Sequence, residues 1–147
     1  MKVKTKRKYK GIIIHCSDSD RLQHDSMEAI KEWHLENGFD DIGYHYVVTK
    51  TRGVETGRDI NKFGAHARNY NRNYIGVCLT GRSMYTHDQF ETTAQLCRTL
   101  MQTFGIPLKN IIPHNEVNLD KTCPNFDIKA ILYPRIKELQ LYETHEQ

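Results

Sequence analysis

Short apolar runs alternate along the chain with longer stretches in which apolar residues return every three or four positions. The run GIIIHC at Gly11–Cys16 is β-branched and reads as a buried strand. The polar Ser17-Asp18-Ser19-Asp20 that follows opens a loop, which leaves His15 at the strand's carboxyl end. Over residues 25–37 the spacing becomes helical. Met27, Ile30 and His34 share a face with Trp33 beside it, Asp25 and Glu28 stand at capping-box distance, and Gly38 supplies the stop. Residues 44–50 and 54–57 read as two strands joined by a tight turn at Thr51-Arg52-Gly53, and residues 74–80, YIGVCLT, as a further strand of core composition.

Thr86 and Gln89 repeat the capping-box spacing ahead of Phe90, Ala94, Cys97, Met101 and Phe104, a helical stripe that ends at Gly105. Ile111-Ile112 forms a brief strand that leads into the loop sequence PHNEVNLDKTCP. A last helix begins near Asp127 and uses Ile128, Leu132, Ile136 and Leu139, with Pro134 kinking or shortening it. Alternating strands and helices predict an α/β domain with a mixed central sheet flanked by helices, and the hairpin excludes an all-parallel sheet.

Length and charge refine this picture. The 147 residues fit one domain, expected over 11–141 with a basic arm or edge strand at 1–10 and a tail at 142–147. The net charge of +3 is concentrated in the arm: Lys2, Lys4, Lys6, Arg7, Lys8 and Lys10 leave 15 basic against 18 acidic residues in the rest. Such an arm steers a protein toward anionic polymers or simply keeps a tail or edge strand solvated, and the slightly acidic body argues against nucleic acid as the main partner. No apolar run is long enough for a membrane span or a classical export signal, so synthesis is expected in the cytoplasm. The four cysteines lack a CxxC pair, which excludes a disulfide scaffold or zinc ribbon. Cys78 and Cys97 fall on apolar positions as small buried hydrophobes.

Two of the eight histidines share a distinctive context. His15 and His114 each follow isoleucines of an expected central strand and precede a polar loop, where ligands collect in open α/β sheets. With Cys123 they make three potential zinc ligands and leave a fourth tetrahedral position, the pattern of a catalytic rather than a structural site. A core histidine and a buried cysteine are the plainer reading of the same residues. The acidic run at residues 17–20 lacks the rest of an EF-hand loop.

The segments IIIHCSDS, DIGYHYVVTKTRGVETGRD, GAHARNYNRNYIGVCLTG and PHNEVNLDKTCPNFDIK resemble, in order, the signature blocks of the zinc-dependent N-acetylmuramoyl-L-alanine amidases. This is the amidase type shared by small phage endolysins and peptidoglycan recognition proteins, and the likeness runs from about residue 12 to residue 129. It implies one zinc ion per chain on His15, His114 and Cys123, a catalytic tyrosine at Tyr44, and the phage-type lysine at Lys121. The loop between His114 and Cys123 is one residue longer than the phage pattern, which leaves the alignment of residues 118–120 open. His66 and Asn71 fall in a block near the substrate groove and take either glycan or peptide contacts or hydrogen bonds within their loop. His45 is expected to face away from Tyr44 in a structural hydrogen bond, and His24, His34, His87 and His145 to be surface or partly buried positions.

The implied activity is hydrolysis of the amide between N-acetylmuramic acid and L-alanine in bacterial peptidoglycan, by a monomeric phage or prophage endolysin that reaches the wall after release. Zinc activates water and polarises an amide carbonyl, Lys121 is placed to stabilise an oxyanion, and Tyr44 to hydrogen-bond or transfer a proton. Two other readings stay open on the residues. A non-catalytic peptidoglycan-binding module keeps the same fold, though such modules usually lack the cysteine ligand. A cysteine hydrolase would use Cys123 or Cys16 as its nucleophile.

Overall fold

The computed structural model describes residues 7–145, with the side chains of the last two left aside. Five strands form one sheet in the order β3-β2-β4-β1-β5, with β1 at Gly11–Cys16, β2 at Tyr46–Val48, β3 at Val54–Thr56, β4 at Tyr74–Leu79 and β5 at Ile111–Pro113. β1 runs parallel to both β4 and β5, β2 runs parallel to β4, and only β3 is antiparallel, so the sheet is mixed as expected. All six residues of β1 are buried, as a central parallel strand covered on both faces requires.

Side chains alternate along each strand and divide the interior. Ile12 and Ile14 of β1, Ile75, Val77 and Leu79 of β4, and Tyr46 and Val48 of β2 join one cluster. It is completed by Ala94, Cys97, Leu100 and Met101 of α2 (His87–Phe104), Ile128 of α4 (Ile128–Ile131), Leu132, and Ile136 of α5 (Tyr133–His145). The opposite face carries Ile13 and His15, then Gly76 and Cys78, then Val47. There Ile30 of α1 (Met27–Glu36) and Ile42 cover Val47 and Cys78. His15 therefore shares a sheet face with α1.

α2 starts and stops where the sequence places its signals. Thr86 accepts from the Gln89 amide and Gln89 returns the bond, while Gly105 ends the helix at φ 67°. At α1 the cap is corrected by one residue. Ser26, not Asp25, accepts from the Ala29 amide at 3.1 Å, because the Asp25 carboxylate accepts from the Lys50 amide and the hydroxyls of Thr51 and Thr80. The last helix divides at Leu132 into α4 and α5. Pro134 has no amide for the next turn, and Asp127 caps α4 through the amides of Lys129 and Ala130.

At the amino terminus, Lys2, Lys4 and Lys6 lie outside the described residues. Residues 7–10 belong to no strand, yet Tyr9 is only 5% exposed and donates its hydroxyl to the Ile60 carbonyl, so the packed body begins before Gly11.

Candidate metal centre

Adjacent parallel strands bring the two histidines together. Ile14 of β1 is paired with Pro113 of β5, so His114, which opens the single helical turn α3 (His114–Val117), lies beside His15, with ring centroids 4.3 Å apart. The sequence reading placed a loop at this turn.

The segment that follows α3 returns Cys123 to the same point. The Asn115 amide donates to the Cys123 carbonyl, the Tyr85 hydroxyl donates to the Pro124 carbonyl at 2.6 Å, and the Asn125 side chain donates to the Arg82 carbonyl at 2.9 Å. Asn125 takes φ 65°, a left-handed conformation that asparagine tolerates. The Cys16 amide, next to His15, donates to Cys123 Sγ at 2.8 Å. One ligand atom from each of His15, His114 and Cys123 then lies within 4.8 Å of the others, the one cluster among the described residues able to hold a metal ion.

Electrostatics suit the histidines for this task. His15, 1% exposed, is held well below the usual histidine range by burial, then by His66 and His114. Burial lowers His114 too, helped by the positive charge of Lys121. Both are therefore neutral imidazoles near pH 7, the form that ligates metal. Cys16 is drawn down to about 7, chiefly by its hydrogen bond to Cys123, and the same bond pushes Cys123 upward.

Tyr44 and Lys121 reach the same place. Tyr44, His114, Lys121 and Cys123 line a cavity of about 390 Å³, together with Ser17, Asp18 and Asp120 at its rim. The Tyr44 ring stands 4.9 Å from that of His15, and burial raises its phenol well above the usual range, so it stays protonated as a donor. Tyr44 lies ahead of β2, which is shorter than expected. The His34 Nδ1 fixes the adjoining backbone by accepting from the Gly43 amide at 2.8 Å. Lys121 is exposed at the cavity mouth.

The remaining candidates have definite partners. His45 is structural, with Nδ1 accepting from the Gly76 amide and Nε2 against the Lys62 carbonyl. Asn71 accepts through Oδ1 from the amides of His66 and Ala67, bonds within its own loop. His66 places Nδ1 2.8 Å from His15 Nε2 and Nε2 2.9 Å from the Tyr74 carbonyl, and burial carries it down to about 3. Its link to His15 went unseen in the sequence, although Gly76 in the middle of a core strand signals a close approach by some other group.

Residues 5–126 match the family described as N-acetylmuramoyl-L-alanine amidase. The endolysin of Escherichia phage T7 is 37% identical over 128 residues, covering 81% of this chain and 82% of the relative. The structure of the N-acetylmuramoyl-L-alanine amidase LysC from Clostridium intestinale superposes with a TM-score of 0.75 at 26% identity, covering 85% of this chain and 83% of LysC. Drosophila PGRP-LB, solved as a mutant in complex with tracheal cytotoxin, superposes with a TM-score of 0.69 at 26% identity, covering 82% of this chain and 77% of the other. With the family match spanning most of the sequence and the phage relative aligned along 82% of its length, this chain belongs to the N-acetylmuramoyl-L-alanine amidases.

Proposed function

We propose that the chain is a phage-type endolysin that hydrolyses the amide between N-acetylmuramic acid and L-alanine in peptidoglycan, with one zinc ion held by His15, His114 and Cys123. The observation that carries this reading is the convergence of those three ligand atoms within 4.8 Å of one another, two of them, from His114 and Cys123, belonging to residues that line the cavity with Tyr44 and Lys121. The donor set fits zinc: two neutral imidazoles and one thiol give the two nitrogens and one sulfur of a tetrahedral site with one open position. When bound, zinc supplies an activated water and polarises the scissile carbonyl.

The chain's own groups do the rest. Cys123 would hold the ion as a thiolate, and the Cys16 amide already donates to that sulfur. Tyr44, a protonated phenol, donates a hydrogen bond to oxygen at the reaction centre. Lys121 brings an ammonium to the mouth of the cavity, where it neutralises the charge that grows on the carbonyl oxygen. All of these residues come from one chain, so a monomer suffices. Among the described residues no helix is long and apolar enough to cross a membrane. The likeness to phage endolysins supports access to the wall after release, and the basic composition of the arm would favour an anionic wall polymer.

A PGRP-LB mutant, which has the same fold, was solved in complex with tracheal cytotoxin, a monomeric diaminopimelic acid-type peptidoglycan, which supports a muropeptide as the ligand of the open cavity here. Product analysis tests the bond assignment. Digestion of purified peptidoglycan should release new free L-alanine amino termini without new reducing sugar ends. Binding without new amino termini would identify a recognition module instead, and new reducing ends would identify a glycosidase.

A further inference from the structure

The hydrogen bonds around His66 specify more than its place in a loop. The Tyr74 carbonyl can only accept, so the His66 Nε2 that meets it at 2.9 Å carries a proton. In a neutral ring His66 Nδ1 is then an acceptor, and the His15 Nε2 that lies 2.8 Å away must be the donor. His15 is left with a bare Nδ1, which lies on the side of the ring away from His66. Among the described residues no acidic group is hydrogen-bonded to either ring.

The surroundings are shaped to hold this arrangement. A Cβ at Gly76 would stand 2.7 Å from His66 Cδ2, and one at Gly64 would stand 2.3 Å from the same atom. Both glycines thus leave room for the imidazole against the sheet. Asn71 Oδ1 accepts from the His66 and Ala67 amides at 2.7 and 2.8 Å and pins the backbone from which the ring projects. The ring centroids of His15 and His66 stand 4.9 Å apart, a separation that suits two imidazoles meeting nitrogen to nitrogen at 2.8 Å.

We propose that His66 is a positioning residue for the metal centre: through the chain Tyr74 carbonyl, His66, His15 it fixes His15 as the Nε2–H tautomer and presents Nδ1 as the metal ligand. This replaces a substrate contact as the role of His66, and it rests on the zinc reading above for the identity of the ion. Groups behind a metal-bound histidine commonly set its tautomer and orientation, and their loss costs about 10–100-fold in metal affinity or activity.

The test combines tautomer and affinity. In zinc-free wild-type protein, nitrogen NMR of the imidazoles should show His15 protonated at Nε2. His66→Leu removes the acceptor while keeping apolar bulk and should raise the zinc dissociation constant about 10–100-fold. His66→Asn, whose side-chain oxygen lies near the place of Nδ1, should recover part of that loss. The affinities are read by chelator competition, with folding checked by circular dichroism. His15 protonated at Nδ1 in the wild type overturns the proposal even if His66→Leu fails to fold, as does a folded His66→Leu with wild-type zinc affinity. Failure of the zinc reading looks different, since the wild type would then take up no zinc while His15 still carried its proton on Nε2.

Discussion

On the proposed reading, Lys121 and Cys123 supply two different kinds of chemistry from one short segment. The sulfur is fixed by the Cys16 amide at 2.8 Å, whereas the lysine is exposed at the mouth of the cavity and lowers the affinity of His114 for protons by its charge. Under the proposed mechanism, holding metal and stabilising charge are therefore separable at this scale. Lys121→Ala should bind zinc like the wild type and lose about 10²–10³-fold in kcat with KM little changed, the usual cost of removing one oxyanion donor. Zinc content and steady-state rates on the same preparation check this, and an unchanged kcat would remove the lysine from the reaction. The grouping of His15, His114 and Cys123 was legible in the sequence, the two histidines from their strand ends and the full set from the resemblance to the amidase blocks. The partnership of His15 with His66 was not, since 51 residues separate them and no local periodicity encodes it.

Among the elements, the loops after β1 and β4 are joined by one carboxylate. Asp20 accepts from the amides of Arg82, Ser83 and Met84 and pairs with Lys50 Nζ at 3.3 Å. The Arg82 amide, the largest influence, and the amides beside it hold the Asp20 carboxyl well below the usual carboxylate range. The folded state thus binds this proton less readily than the unfolded state. The stabilisation is complete above the ordinary aspartate value of about 4 and is lost as pH falls through the lower folded value. Asp20→Asn should be less stable than the wild type at pH 7, and the gap should narrow progressively below about pH 4. Denaturant unfolding across that range measures it, and a gap independent of pH would contradict the assignment. Elements with their own signals, such as β1, β4 and the Thr86-to-Gly105 helix, were readable from sequence. The Asp20 link and the transfer of the α1 cap from Asp25 to Ser26 were not, because distant backbone amides and hydroxyls decide them.

For the whole molecule, the strand order β3-β2-β4-β1-β5 explains why a single centre can be assembled from residues about a hundred positions apart. β1 and β5 are neighbours, their carboxyl ends open on one side, and the segment carrying Cys123 folds back over that edge. An ion held there, as proposed, would tie three parts of the chain together and bind the folded state in preference to the unfolded one, so activity and stability would both depend on it. The most direct measurement is metal content together with amidase rate for the wild type and Cys123→Ser, before and after exhaustive chelation. The account predicts one zinc per wild-type chain, a rate abolished by chelation and restored by zinc, and a Cys123→Ser protein that holds no stoichiometric zinc and releases no L-alanine amino termini. A Cys123→Ser protein free of metal yet as active as the wild type would contradict it.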